Sequence, residues 1–152
     1  ATPTYDLLDS VTLASSASDI TFSSIPQTYG DLVLVVNTVQ VYLRLNGVTS
    51  NSYPLVYMAG NGSSTFSGTQ NGTAFLSSYT STAGGMCVYQ IMDYSATDKQ
   101  KTVLGKYSQA SQAVEQLVGR FISTSAVTSV VMPFVTYPAG TTFYLYGIAK
   151  AL

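Results

Sequence analysis

The sequence predicts an all-β protein, an antiparallel β-sandwich of jelly-roll type built from about eight to ten short strands. Three observations carry this. The unbroken run Leu32-Val33-Leu34-Val35-Val36, set between Gly30-Asp31 and Asn37, is branched, apolar and too short for an ordinary helix, and reads as a strand buried on both faces. Period-2 alternation recurs along the chain, with Val41, Leu43 and Leu45 opposite Tyr42, Arg44 and Asn46, and with Phe143, Leu145 and Gly147 opposite Tyr144, Tyr146 and Ile148. Gly and Pro turn signals such as Asn46-Gly47, Gly84-Gly85 and Pro138-Ala139-Gly140 separate these pieces.

Taken in order, Tyr5 to Asp9 leads into Val11-Thr12-Leu13, and a small-residue loop precedes Ile20-Thr21-Phe22. Pro26 removes a ladder donor and marks the connection into the apolar run. Val39 to Leu45 and Tyr53 to Ala59 are further strands, Pro54 placing the second at an edge or its beginning outside the ladder. The weakly patterned Thr65 to Gly72 reads as an exposed loop. Thr73 to Tyr79 and Met86 to Asp93 read as a hairpin around the loop Thr80 to Gly85. Thr102 to Tyr107 is a strand, and Ser108 to Gly119 reads as loop then strand, since Gly119 and the alternation of Val114, Gln116 and Val118 argue against a helix. Gly119 to Ile122, Val127 to Phe134 and Phe143 to Ile148 complete the set.

With 152 residues the chain fits a single domain, residues 1–152, within which Ala1 to Leu8 reads as an N-terminal contact arm. Only 9% of residues are charged against 46% apolar, and Ser and Thr make up about a quarter of the chain. A net charge of -1 leaves little self-repulsion, which suits a surface that is covered in use. Six scattered Lys and Arg give no basic face, so nucleic acid is not an expected partner. The longest apolar run is five residues, and Ala1-Thr2-Pro3-Thr4 has no leader character, so neither membrane span nor signal peptide is expected.

The absence of histidine excludes Ser-His-Asp and Cys-His mechanisms and histidine metal centres. Cys87, the single cysteine, sits between Met86 and Val88 and reads as a small buried hydrophobe. Most of the carboxylates fall at predicted strand ends and turns, where Asp is an ordinary capping residue. Asp93 to Asp98 has oxygen ligands at spacings a calcium ion could use, but lacks the Gly and Glu of a calcium loop and reads as a solvated turn. No catalytic residue, cofactor or metal is assigned, and the chain is not expected to be an enzyme. Twelve Tyr and no Trp offer apolar rings with polar tips, suited to protein contact. Tyr42, Tyr144 and Tyr146, opposite or near the apparent core face, are interface candidates, joined by Tyr5 in the arm and Phe66 in the predicted loop.

Tyr5-Asp6-Leu7-Leu8, Ile20 through Tyr29, Asp31-Leu32, Leu43-Arg44-Leu45-Asn46-Gly47, Asn51-Ser52-Tyr53, Asp93-Tyr94 with Lys101-Thr102, and Leu145-Tyr146-Gly147-Ile148 together resemble, in order, a family of small β-rich virion proteins of tailed bacteriophages. The chain departs from that pattern at Val48, where related sequences usually carry an acid. The resemblance implies a capsid decoration or cement protein, made in the host cytoplasm and placed on the capsid surface. Its implied partners are the major capsid protein and further copies of itself, as a homotrimer. Contacts are expected from Ala1 to Leu8 and from the loops Gly60 to Gly72 and Thr80 to Gly85. The alternative it implies is a receptor-binding or neck or tail fibre module that recognises host cell-surface glycan. The sequence favours the first, because it reads as the module alone, without a shaft repeat or anchoring domain.

Overall fold

The structure is a computed structural model and describes residues 3–38, 40–76, 84–109 and 113–150. Its twelve strands are β1 (Tyr5–Thr12), β2 (Ile20–Phe22), β3 (Asp31–Thr38), β4 (Tyr42–Leu45), β5 (Tyr53–Gly60), β6 (Thr65–Gly72), β7 (Phe75–Leu76), β8 (Gly85–Ile91), β9 (Lys101–Ser108), β10 (Val114–Phe121), β11 (Val130–Met132) and β12 (Thr142–Ile148). All pairs are antiparallel. One sheet has the order β1-β12-β3-β8-β9-β10-β5-β6 and the other β2-β11-β4-β7. The quartet β1-β12-β3-β8 with β2-β11-β4-β7 is the interleaved strand order of a jelly roll. The count exceeds the expected eight to ten because two insertions, β5–β6 and β9–β10, extend the first sheet beyond β8.

The core lies between the sheets. Leu32, Leu34, Val36, Cys87, Tyr89, Phe143 and Leu145 belong to the larger sheet, and Phe22, Leu43, Leu45, Phe75, Val130 and Met132 to the smaller; all are buried in one cluster. β10 passes close enough that a Cβ on Gly119 would sit 2.3 Å from the Phe75 ring, so only glycine lets these two layers meet there.

Tyrosines tie the layers together. Tyr89 donates from its hydroxyl to the Val41 carbonyl (3.0 Å). Tyr53, fully buried, stacks on Phe121 and meets Phe75 edge-on, while its hydroxyl accepts from Leu45 N–H (3.1 Å) and reaches the Val48 carbonyl (2.9 Å). That fixes the Asn46-Gly47 turn, whose residues both have positive φ. Tyr53→Phe keeps the ring and orphans these backbone groups; it is expected to cost about 1–3 kcal/mol, read as a lower denaturation midpoint.

Several expectations are corrected here. Thr65 to Gly72 is not a loop but a full strand, because backbone pairing with β5 holds it even though its side chains have no apolar period. Among the described residues the predicted hairpin between Thr73 to Tyr79 and Met86 to Asp93 does not form. β7 pairs with β4 in the small sheet, whereas β8 lies between β3 and β9 in the large one. Residues 77–79 of the first predicted strand, residues 80–83 of the intervening loop, and Ala1 and Thr2 lie outside the described residues. Most consequential is β3. Leu32, Leu34 and Val36 are buried, but Val33 and Val35 are only half-buried, so the apolar run is covered on one face instead of two.

Candidate functional site

The half-covered side of β3 belongs to a much larger surface. Following the register outward in both directions gives the residues that share the outer face of the eight-stranded sheet. From β12 and β1 come Tyr144, Tyr146, Ile148, Leu7 and Tyr5. β8 and β9 add Val88, Met86 and Leu104. β10 and β5 add Val114, Val118, Val56 and Met58. Alternation explains the set, since each strand sends one residue in two into the core and the other outward. Where the outer face of an antiparallel sheet is solvated, those outward positions are commonly polar. Here Met58 is 67% and Val114 64% exposed, with Leu7, Val56, Met86 and Val118 also exposed.

The electrostatics are equally sparse. By register the charged side chains on this face are Asp31, Lys106 and Arg120. Asp31 is engaged, accepting from Gln90 Nε2 (2.8 Å) and from Asp93 N–H (2.9 Å). At the far end of the sheet the twisted strands form an open trough of about 910 Å³, lined by Met58, Met86, Val88, Lys106, Val114 and Gln116 among others. Its walls are largely apolar, with the Lys106 ammonium, the Glu115 carboxylate, the Gln116 amide and hydroxyls of Thr65, Ser67, Tyr107 and Ser108 among them, and an open, shallow surface of this kind suits protein contact.

The opposite end of the sandwich is closed by hydrogen bonds. Lys101, fully buried, donates from Nζ to the carbonyls of Ala96 (2.6 Å), Lys99 (3.0 Å) and Thr124 (2.9 Å). Burial holds its pKa below the ordinary lysine value. The turn read from sequence as a weak calcium candidate thus receives an internal ammonium at its carbonyls, and Lys99 pairs with Asp93 at its surface (3.0 Å). Asn46 accepts from the N–H groups of Thr128 and Ser129 and donates to the Ala126 carbonyl. Tyr94 donates to the Pro26 carbonyl.

Among the described residues no three His, Cys, Asp or Glu come together as a metal-binding group. Glu115, buried on the inner side of β10, stands six residues along that strand from the Phe121–Lys101 pair, roughly 20 Å from the end where Asp93 lies. Two carboxylates that far apart cannot flank one scissile bond. Burial pushes the Cys87 thiol up to about 12, so it stays protonated at neutral pH.

The structure gathers three of the five sequence-derived candidates. Tyr5, Tyr144 and Tyr146 share the outer face, the last two stacked with centroids 6.4 Å apart. Within the arm expected over Ala1 to Leu8, the segment Tyr5 to Leu8 forms the first half of β1. Tyr42 lies in the other sheet, beside Phe134 (centroids 5.4 Å), over which the Arg44 guanidinium sits at 4.7 Å. Phe66 is at the β6 edge, opposite Ala59 and so on the inner side. Sequence reasoning missed Met58, Val56, Met86 and Val114, whose alternation was visible but whose outward direction was not. It also missed Phe134, an exposed aromatic at φ +72° that follows Pro133.

Comparison with family models gives no match, and none is found among curated proteins. Among solved structures, a human SPRY domain is similar over 97% of this chain and 99% of that chain, at 10% identity and a TM-score of 0.32.

Proposed function

We propose that this chain is a structural protein of a tailed-phage virion that decorates the outer head lattice, seated on the major capsid protein through the outer face of its eight-stranded sheet. The observation that carries the proposal is the breadth of apolar surface left exposed on that face, taken with the resemblance of the motifs from Tyr5-Asp6-Leu7-Leu8 to Leu145-Tyr146-Gly147-Ile148. Eight strands about 4.8 Å apart and about seven residues long present a footprint on the order of 850 Å², matching the roughly 800 Å² per partner of a stable interface. Such a face, with few charges, binds by desolvation and shape, so attachment is expected to depend little on salt. Each copy bridging adjacent capsid subunits would add its own small increment against expansion of the shell.

The test is a pelleting assay with heads stripped of this protein. Met58→Asp and Val114→Asp place a charge in the contact and are expected to weaken binding at least about tenfold, while leaving the denaturation midpoint within about 0.5 kcal/mol of wild type. Head binding equal to wild type in both variants sinks the assignment of this face. A second reading, a fibre module recognising glycan, is favoured by one observation, the Tyr42–Phe134–Arg44 cluster, in which Phe134 is exposed and Tyr42 and Arg44 are half-buried, since aromatic faces stack on sugars. Saccharide binding lost in Phe134→Ala, with no head binding by the wild type, would select it.

A further inference from the structure

Two strands end the eight-stranded sheet, and only one of them is guarded. β1 carries Asp6 and Asp9 and an irregularity of register between Leu7 and Asp9. Charge and a bulge are the usual devices that stop an edge from pairing with another chain. β6 has neither. Its register with β5 runs unbroken from Gly60↔Thr65 to Tyr53↔Gly72, and Thr-Phe-Ser-Gly-Thr-Gln-Asn-Gly contains no charge and no proline. No Asp, Glu, Lys or Arg occurs anywhere between Arg44 and Asp93. Among the described residues the far side of β6 has no strand partner.

We propose that β6 is a self-docking edge, at which a second copy of this chain adds its own β6, antiparallel, about a two-fold axis perpendicular to the sheet. Self-pairing places each side chain near its own kind, so any charge near the centre of the strand would meet a like charge. This strand has none. Partners in an antiparallel pair lie on the same face, so odd residues must oppose odd ones and the axis falls on a residue. Centred on Thr69, the pairing opposes Thr69 with the partner's Thr69, Ser67 with the partner's Asn71, and Phe66 with the partner's Gly72. The outer face then receives hydroxyl and amide pairs, and the inner face an aromatic beside a glycine. The chain already uses that arrangement one strand inward, where the Tyr57 ring lies against Gly68, closer than any Cβ could stand.

This symmetry closes as a dimer, not as the trimer that the resemblance implies, because a trimer needs two different surfaces to meet and the β6 edge is complementary to itself. The perpendicular axis also keeps the outer faces of both copies on one side. The apolar platform is thereby doubled, and only the use of that doubled platform for gripping a head rests on the virion reading.

The dimer itself is tested on the isolated chain by sedimentation across a concentration series. Wild type is expected to dimerise. Thr69→Lys and Thr69→Glu each set like charges face to face at the axis and are expected to weaken dimerisation by about tenfold or more, while an equimolar mixture of the two restores it. Thr69→Gln, neutral and of similar length, keeps the dimer and separates charge from a folding defect. Ser10→Lys, on the guarded β1 edge, leaves it unchanged. A wild type that stays monomeric or sediments as a trimer, charge variants that dimerise as wild type does, or a mixture that remains monomeric would each overturn the proposal.

Discussion

Lys101→Met is expected to destabilise the protein by on the order of 3–5 kcal/mol, since three carbonyls that now share one ammonium would each lose a charge-assisted partner inside the fold. The effect should exceed that of an ordinary cavity, because methionine nearly fills the space and what is lost is polar satisfaction. Those carbonyls come from Ala96 and Lys99 in the turn after β8 and from Thr124 after β10, so the ammonium joins two connections that are far apart in sequence. Arginine is not expected to rescue the site. Its donors lie in one plane and point outward, whereas an ammonium directs three protons from a single atom. Lys106→Met, on the exposed side of the same strand, serves as the control and should change stability by less than about 0.5 kcal/mol. Chemical denaturation of the three variants decides it; a Lys101→Met midpoint indistinguishable from the Lys106→Met one would show that solvent replaces the ammonium.

Alkaline pH is expected to unfold the protein steeply. Burial raises the pKa values of Tyr53, Tyr89, Tyr94 and Tyr137 above the ordinary phenol value of 10.0, and that of Cys87 from 9.0 to about 12. These acids stay neutral in the folded state but ionise in the unfolded chain. The unfolded state therefore binds fewer protons above pH 9 to 10, and stability falls as pH rises through that range. Each group removes stability between its unfolded and its folded pKa, so the losses of the four tyrosines and the thiol add in the same direction, against a total stability of only about 5–15 kcal/mol. Lys101 acts in the opposite direction, since its pKa is lowered on folding and its contribution improves as pH rises toward 10.5, but it is one group against five. With no histidine, the range from pH 5 to 8 is expected to be flat by comparison. Circular dichroism and tyrosinate absorbance followed together above neutrality provide the test. Loss of β structure should coincide with a cooperative rise in tyrosinate; complete tyrosine ionisation with the sheet intact would contradict it.

The tyrosines also mark where sequence reading stops. Tyr144 and Tyr146 were legible as outward residues because Phe143 and Leu145 alternate with them and are more apolar. Tyr53 and Tyr89 follow the same alternation yet are fully buried, and nothing in their own neighbourhoods announces the carbonyls of Val48 and Val41 that accept their hydroxyls. A polar tip does not tell whether its partner is water or a strand of the opposite sheet.

The sequence by itself determined the all-β class, the sandwich, the strand character of most segments and the Asn46-Gly47 turn, because these follow from periodicity and backbone preference over a few residues. Tertiary structure alone decided the rest. β6 is a strand only because β5 offers it hydrogen bonds, and β7 leaves β8 for β4 because pairing depends on which edges are free. Lys101 is buried because two distant loops bring carbonyls to it. The outer face escaped the sequence for the same reason. Alternation divides residues into two sets, but an apolar run such as Leu32 to Val36 looks alike whether one side or both are covered, and only the placement of a second layer settles which.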